Sequence, residues 1–237
     1  VAGLIPARYA STRLPGKALK PILGKSMIQR VYERSVQAET LDMVAVATDD
    51  ERIAAAVEKF GGRAILTSPE HPSGTDRLAE AVQSLDAEIV VNIQGDQPFI
   101  DPAMIDEAVQ PMLDDPDLPM ATLIHPIRRP EDLADPGVVK TVVDRKGNAL
   151  YFSRSLIPYP HKNVAHVVYE HIGLYVYRHE FLRTLAALPP TPLEQVESLE
   201  QLRVLEHGYI LRCIVTRCAG HDFSGFSIDT PEDLARA

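Results

Sequence analysis

The first 120 residues alternate short apolar, β-prone runs with stretches of helical periodicity, and few folds are open to a chain patterned in this way. Residues 1–6 (VAGLIP) read as a strand, and residues 27–38 as a helix with Ile28, Val31 and Tyr32 on one side. Residues 43–48 (MVAVAT) read as a buried strand. Asp49 or Asp50 can cap a helix that carries Ile53, Val57 and Phe60 and stops at Gly61-Gly62. A strand at 63–66, a loop with Pro69, Pro72 and Gly74, and a helix over about 75–85 follow. Residues 89–93 (IVVNI) form another strand, ending at Gln94-Gly95-Asp96. Asp101-Pro102 then opens a helix, with Asp as cap and Pro in the first turn. Apolar strands each followed by a helix predict a parallel, doubly wound sheet.

The rhythm changes after Met120. Strands are expected at 120–127, 138–143 and 149–152, the last two joined by the hairpin signal Arg145-Lys146-Gly147-Asn148. Residues 166–177 form a long β-rich segment. Residues 192–207 read as one amphipathic helix, with Leu193, Val196, Leu199, Leu202 and Leu205 in helical phase. A strand at 209–215 follows, and Thr230-Pro231-Glu232-Asp233 starts a terminal helix. No repeat, low-complexity tract or linker interrupts this order. The 237 residues, 45% of them hydrophobic, are expected to form one α/β unit with a mixed sheet flanked by helices. One half spans about 1–120, and a second half, about 121–237, lies over it.

Charge narrows the function. The net charge of -9 argues against general nucleic-acid binding. Yet the first 32 residues hold no acid and six bases: Arg8, Arg13, Lys17, Lys20, Lys25 and Arg30. An acidic chain that opens on a basic segment has an anion to bind there, unless the segment is a solvated basic face. No apolar run approaches the ~20 residues of a membrane span, no signal peptide is visible, and Cys213 and Cys218 read as reduced thiols. A soluble cytoplasmic protein is expected.

Residues 5–17 (IPARYASTRLPGK) follow the first strand, at the sheet edge where open α/β sheets bind ligands. Their cations Arg8, Arg13 and Lys17, with hydroxyls such as Ser11, can close around a triphosphate. Gly24-Lys25-Ser26 is not a P-loop, because Leu19 stands where that motif needs glycine. Asp96, directly after a hydrophobic strand, reaches the same edge and can hold Mg²⁺. Asp229, after a short apolar run, could supply a second hard oxygen if the two segments are adjacent.

The first loop, residues 46–49 (VATD), 73–80 (SGTDRLAE), 92–98, 149–154 (ALYFSR), 171–175 (HIGLY), 199–205 (LEQLRVL) and 229–234 (DTPEDL) together resemble the CMP-KDO synthetases. These enzymes couple CTP to 3-deoxy-manno-octulosonate (KDO), an acidic eight-carbon sugar. The likeness covers nearly the whole chain in the family's order. It departs at Gln97, where the family often has Glu, and in the segment 218–227, which is longer than is usual in the family.

The resemblance implies a nucleotide-diphospho-sugar transferase-like (Rossmann-like) fold, a homodimer, CTP and KDO as substrates, Mg²⁺ as cofactor, and a place in lipopolysaccharide biosynthesis. The first half then binds CTP, and the second serves sugar binding and dimerisation. It assigns Arg8, Ser11, Arg13 and Lys17 to the phosphates, and Ser73, Arg77 and backbone near Ala47 to cytosine. Asp96 and Asp229 hold the metal; with Arg8 and Lys17 they form the expected catalytic set. Gln94, Arg154, His171, Glu200 and Gln201 face the sugar, with Arg154 as partner of its carboxylate. Transfer to sialic acid or 8-amino KDO, and a nucleotide-binding module without catalysis, are the alternatives.

Overall fold

The structure, a computed structural model, describes residues 1–10, 14–162, 164–218 and 227–237. In chain order, β1 (Ala2–Ala7) leads through a loop and a small ribbon, β2 (Pro21–Ile22) and β3 (Lys25–Ser26), into α1 (Met27–Ser35). Next come β4 (Met43–Thr48), α2 (Glu51–Lys59), β5 (Ala64–Leu66), α3 (Gly74–Ala81), β6 (Ile89–Asn92) and α4 (Pro102–Asp114). The second half holds β7 (Met120–Pro126), β8 (Lys140–Val143), β9 (Ala149–Ser153), β10 (Tyr169–Arg178), α5 (His179–Ala187), α6 (Pro192–Glu197), α7 (Gln201–Glu206), β11 (Arg212–Val215) and α8 (Pro231–Arg236).

Among the described residues nine strands make one sheet in the order β11-β7-β10-β6-β1-β4-β5, with β8 paired beside β10 and β9 beside β8. From β6 to β5 all pairs are parallel, as the alternation predicts. β10 is antiparallel to both β6 and β7, so the expected mixed sheet arises where the two halves meet. Successive residues of each inner strand face opposite layers. Ile5, Val44, Val46 and Val91 pack with residues of α1, α2 and α4. Their neighbours Leu4, Ala45, Ala47 and Val90 pack with residues of α3, α5 and α7. Covering both faces is what makes these strands apolar throughout. Each large side chain buried there contributes about 1.5–3 kcal/mol.

Local signals set the helix starts. Asp50 accepts from the Arg52 N–H, Asp101 from the Ala103 N–H and Thr230 from the Asp233 N–H, so each cap satisfies one first-turn amide. One expectation fails. Residues 192–207 are two short helices, because Ser198 adopts a left-handed conformation (φ 52°) between α6 and α7. Leu199 and Leu202 are buried as expected, but Val196 is 83% exposed. Helix α5 was absent from the sequence reading; its Phe181, Leu182 and Leu185 are buried.

Candidate active site

The parallel strands β1, β4 and β6 end at one edge of the sheet, with Ala7 opposite Thr48 and Leu4 opposite Asn92. Here the chain leaves each strand for a loop, and the loops enclose a cleft of about 300 Å³. Its walls include Arg8, Lys17, His71, Ser73, Arg77, Gln94, Asp96 and Asp229. The chain has to pass close to itself to form it. A Cβ on Gly95 would lie 2.9 Å from the Pro6 carbonyl oxygen, so only glycine lets the ends of β1 and β6 approach this closely.

The first loop is anchored at both ends of its described part. Gly16, at φ 66°, donates its N–H to the Tyr9 carbonyl at 3.1 Å, and the Arg52 guanidinium lies 3.4 Å from the centre of the Tyr9 ring. That turn aims Lys17 into the cleft. Its ammonium donates to Asp96 Oδ2 at 2.7 Å and to Asp229 Oδ1 at 2.9 Å. The expected phosphate ligand therefore stands between the two expected metal ligands. The carboxylates meet because the Ile228 N–H donates to the Asp96 carbonyl at 2.9 Å, and because the Asp229 and Thr230 N–H groups both donate to Asp233. Among the described residues no three His, Cys, Asp or Glu side chains form a preformed metal cage. Two partly exposed carboxylates converging on one point fit a hard divalent cation that takes its remaining oxygens from water and phosphate.

The other end of the cleft is held by Arg77, which is buried. Its guanidinium donates to Asp49 at 3.1 Å and to the Thr67 hydroxyl at 2.6 Å, so its first role here is to tie α3 to the ends of β4 and β5. Ser73 caps α3 and donates to Asp76. His71, which the sequence reading passed over, also lines the cleft, its Nε2 against Glu80 Oε2. Glu80 also accepts from the Ser68 N–H, and these bonds hold its carboxyl below its ordinary range. The pattern HPSGTDRLAE carried a signal for this pair, a histidine nine residues before an acid on the facing helix.

A second recess of about 150 Å³ shares Pro6, Gly74 and Gln94 with the cleft. Tyr175, Tyr177, Asn92, Thr75, Glu200 and Gln201 line it. The break at Ser198 puts Glu200 and Gln201 at the start of α7, facing this recess. Gln201 accepts from the Tyr175 hydroxyl at 3.2 Å, and its buried Nε2 donor has no partner among the described residues. A buried donor left unpaired costs about 1–3 kcal/mol, which a bound acceptor would offset. Burial raises the Glu200 pKa, and a Thr75 hydrogen bond partly opposes this.

Three expected site residues lie away from both cavities. Arg154 lines neither cavity. Its guanidinium donates to the carbonyls of Glu197 at 2.7 Å, Pro136 at 2.9 Å and Ser198 at 3.3 Å, holding the α6–α7 break against β9. Ala47 lines neither cavity; it is fully buried, paired with Pro6 and Ile65 in the parallel ladder. His171 is also not a wall of either. Its ring packs on Phe152 and Tyr175, its Nε2 lies 3.0 Å from the Thr122 hydroxyl, and burial pushes its pKa down to about 3. Ser11, Arg13 and nearly all of the segment 218–227 lie outside the described residues.

A family profile described as Cytidylyltransferase matches residues 2–214. The chain is 51% identical to the 3-deoxy-manno-octulosonate cytidylyltransferase of Syntrophotalea carbinolica, covering 100% of this chain and 96% of that one. It is 53% identical to the protein of the same name from Syntrophus aciditrophicus, covering 98% and 94%. A solved structure of CMP:2-keto-3-deoxy-manno-octonic acid synthetase complexed with CTP superposes with a TM-score of 0.93 at 47% identity, covering 99% and 95%. A cytidylyltransferase from Leptospira borgpetersenii, 18% identical with a TM-score of 0.64, shares the fold over 98% of this chain and 82% of that one.

Proposed function

The chain belongs to the 3-deoxy-manno-octulosonate cytidylyltransferase family, and from that premise we propose that its cleft takes CTP and its inner recess takes KDO. The enzyme transfers CMP from CTP to the anomeric hydroxyl of KDO, giving CMP-KDO and pyrophosphate. The observation that carries this assignment is the shared wall. Pro6, Gly74 and Gln94 border both cavities, so a nucleotide in the larger and a sugar in the smaller would meet there.

The sugar oxygen bonds to the α-phosphorus as the bond to pyrophosphate breaks, and the hydroxyl proton leaves to solvent or a nearby oxygen. Such a transfer depends on positioning and on neutralising charge around phosphorus. Arg8 and Lys17 supply cations at the phosphate end, with Arg13 from the same loop. Ser73, Arg77 and His71 lie at the end left for cytosine. Gln94 reaches both ligands, while Glu200 and Gln201 offer hydrogen bonds to sugar hydroxyls and the Tyr175 and Tyr177 rings an apolar wall. Asp96 and Asp229 would hold Mg²⁺, which when bound neutralises phosphate charge and makes a hydroxyl more acidic. The carboxylate of the sugar has no cation assigned to it in the recess, since Arg154 points elsewhere.

The reading also includes a homodimer, the cytoplasm as the compartment where CTP is available, and a product destined for lipopolysaccharide. Pyrophosphate release from CTP tests it, with KDO, 8-amino KDO and sialic acid supplied side by side. Turnover with KDO well above the other two is expected. Equal or higher turnover with sialic acid would reassign the recess, and none with any sugar would favour a binding module.

A further inference from the structure

The position of Lys17 has a consequence for the order in which ligands enter. Its ammonium lies 2.7 Å from Asp96 and 2.9 Å from Asp229, and the side chain is only 14% exposed. The point on which both carboxylates converge is therefore taken by a cation of the protein itself. Magnesium needs carboxylate oxygens at about 2.0–2.1 Å, and an ammonium and a dication cannot occupy the same contact. Metal entry at this pair requires the ammonium to leave.

We propose that Lys17 is an internal counter-ion that closes the Asp96–Asp229 pair to divalent cations until a polyphosphate draws its ammonium away, so that nucleotide and metal enter cooperatively. This deepens the functional reading and rests on its assignment of the two carboxylates to the metal. The local fold suits a side chain that swings on a fixed backbone. The left-handed Gly16 and the buried Ala18 fix the chain on either side, while the lysine stem is flexible and its head is a compact charge. The same cleft carries the exposed Arg8, so a triphosphate laid along it meets one cation at once and offers the second a new anion. Until then the ammonium screens two carboxylates that would otherwise repel each other. By linkage, a triphosphate that removes Lys17 from the pair must raise metal affinity by the factor by which metal raises triphosphate affinity.

Mn²⁺ is the probe, its free concentration read by electron paramagnetic resonance with no nucleotide present. The wild-type protein should bind it weakly, Lys17→Met tenfold or more tightly, and Lys17→Arg as weakly as wild type. Equal or weaker binding by a folded Lys17→Met protein would overturn the proposal. A second arm does not depend on that variant folding. With Lys17 in place, Asp96→Asn should change nucleotide-free Mn²⁺ affinity less than twofold, yet lower that of the CTP complex tenfold or more. A tenfold loss without nucleotide means the carboxylates were already open to metal, which also refutes the gate. Pyrophosphate release with KDO is measured separately on the wild type. A protein that turns over KDO and fails both Mn²⁺ arms loses the gate and keeps its function; one that passes them without turnover keeps the gate and loses the function.

Discussion

Single side chains here serve the site by what they hold as much as by what they touch. Arg77 is the clearest case. Its guanidinium is buried against Asp49 and Thr67, so removing it would leave a carboxylate without its partner. Arg77→Ala should therefore cost about 3 kcal/mol or more in urea denaturation, with CTP affinity falling alongside. Weakened CTP binding at unchanged stability would instead favour a role confined to the base. His171 makes a prediction of sign. Its folded pKa of about 3 lies below its ordinary 6.5, because burial disfavours the imidazolium. Between those values the unfolded chain binds a proton that the folded one does not. The associated stability is complete above pH 6.5 and is lost as pH falls toward 3, by at most about 1.4 kcal/mol per pH unit. His171→Gln should flatten that part of the profile, seen as a smaller drop in unfolding free energy between pH 7 and pH 5 than in the wild type. Parallel profiles would mean that His171 takes up its proton in the fold at the same pH as in the unfolded chain.

At the scale of elements, the break between α6 and α7 decides what the second recess contains. Glu197 accepts from the Ser153 hydroxyl and the Arg154 N–H, while the Arg154 guanidinium bonds back to the carbonyls of Glu197 and Ser198. This two-way clamp fixes β9 to the turn that delivers Glu200 and Gln201. A lysine's compact ammonium lacks the planar fork of donors with which Arg154 spans three carbonyls. Arg154→Lys should thus lower Tm by several degrees, raise KM for the sugar and leave CTP affinity within about twofold, the first two effects arising from one displaced turn. An unchanged Tm with a raised sugar KM would return Arg154 to direct contact with the carboxylate.

For the whole molecule, β10 joins the halves. It pairs with β6 of the first half and with β7 of the second, and it brings Tyr175 and Tyr177 to the recess. The cluster holding Leu78, Val82 and Val90 also includes Phe181, Leu182 and Leu185 from α5. Residues 1–118 alone would expose that apolar layer and the edge of β6. We expect this fragment to give no cooperative thermal transition by circular dichroism; a cooperative melt would make the first half an independent domain. The alternating strands, the helix caps, the basic first loop and the carboxylates Asp96 and Asp229 were all legible in the sequence. Each depends on periodicity, or on a residue type placed just after a strand, and both are local properties of the chain. The Lys17 bridge, the burial of Arg77 by Asp49, the left-handed turn at Ser198 and the clamp by Arg154 were not. These depend on which distant segments meet: Lys17 lies 79 residues from Asp96 and 212 from Asp229. A cation or carboxylate read alone announces its charge, and only packing decides whether it faces a ligand or another part of the chain.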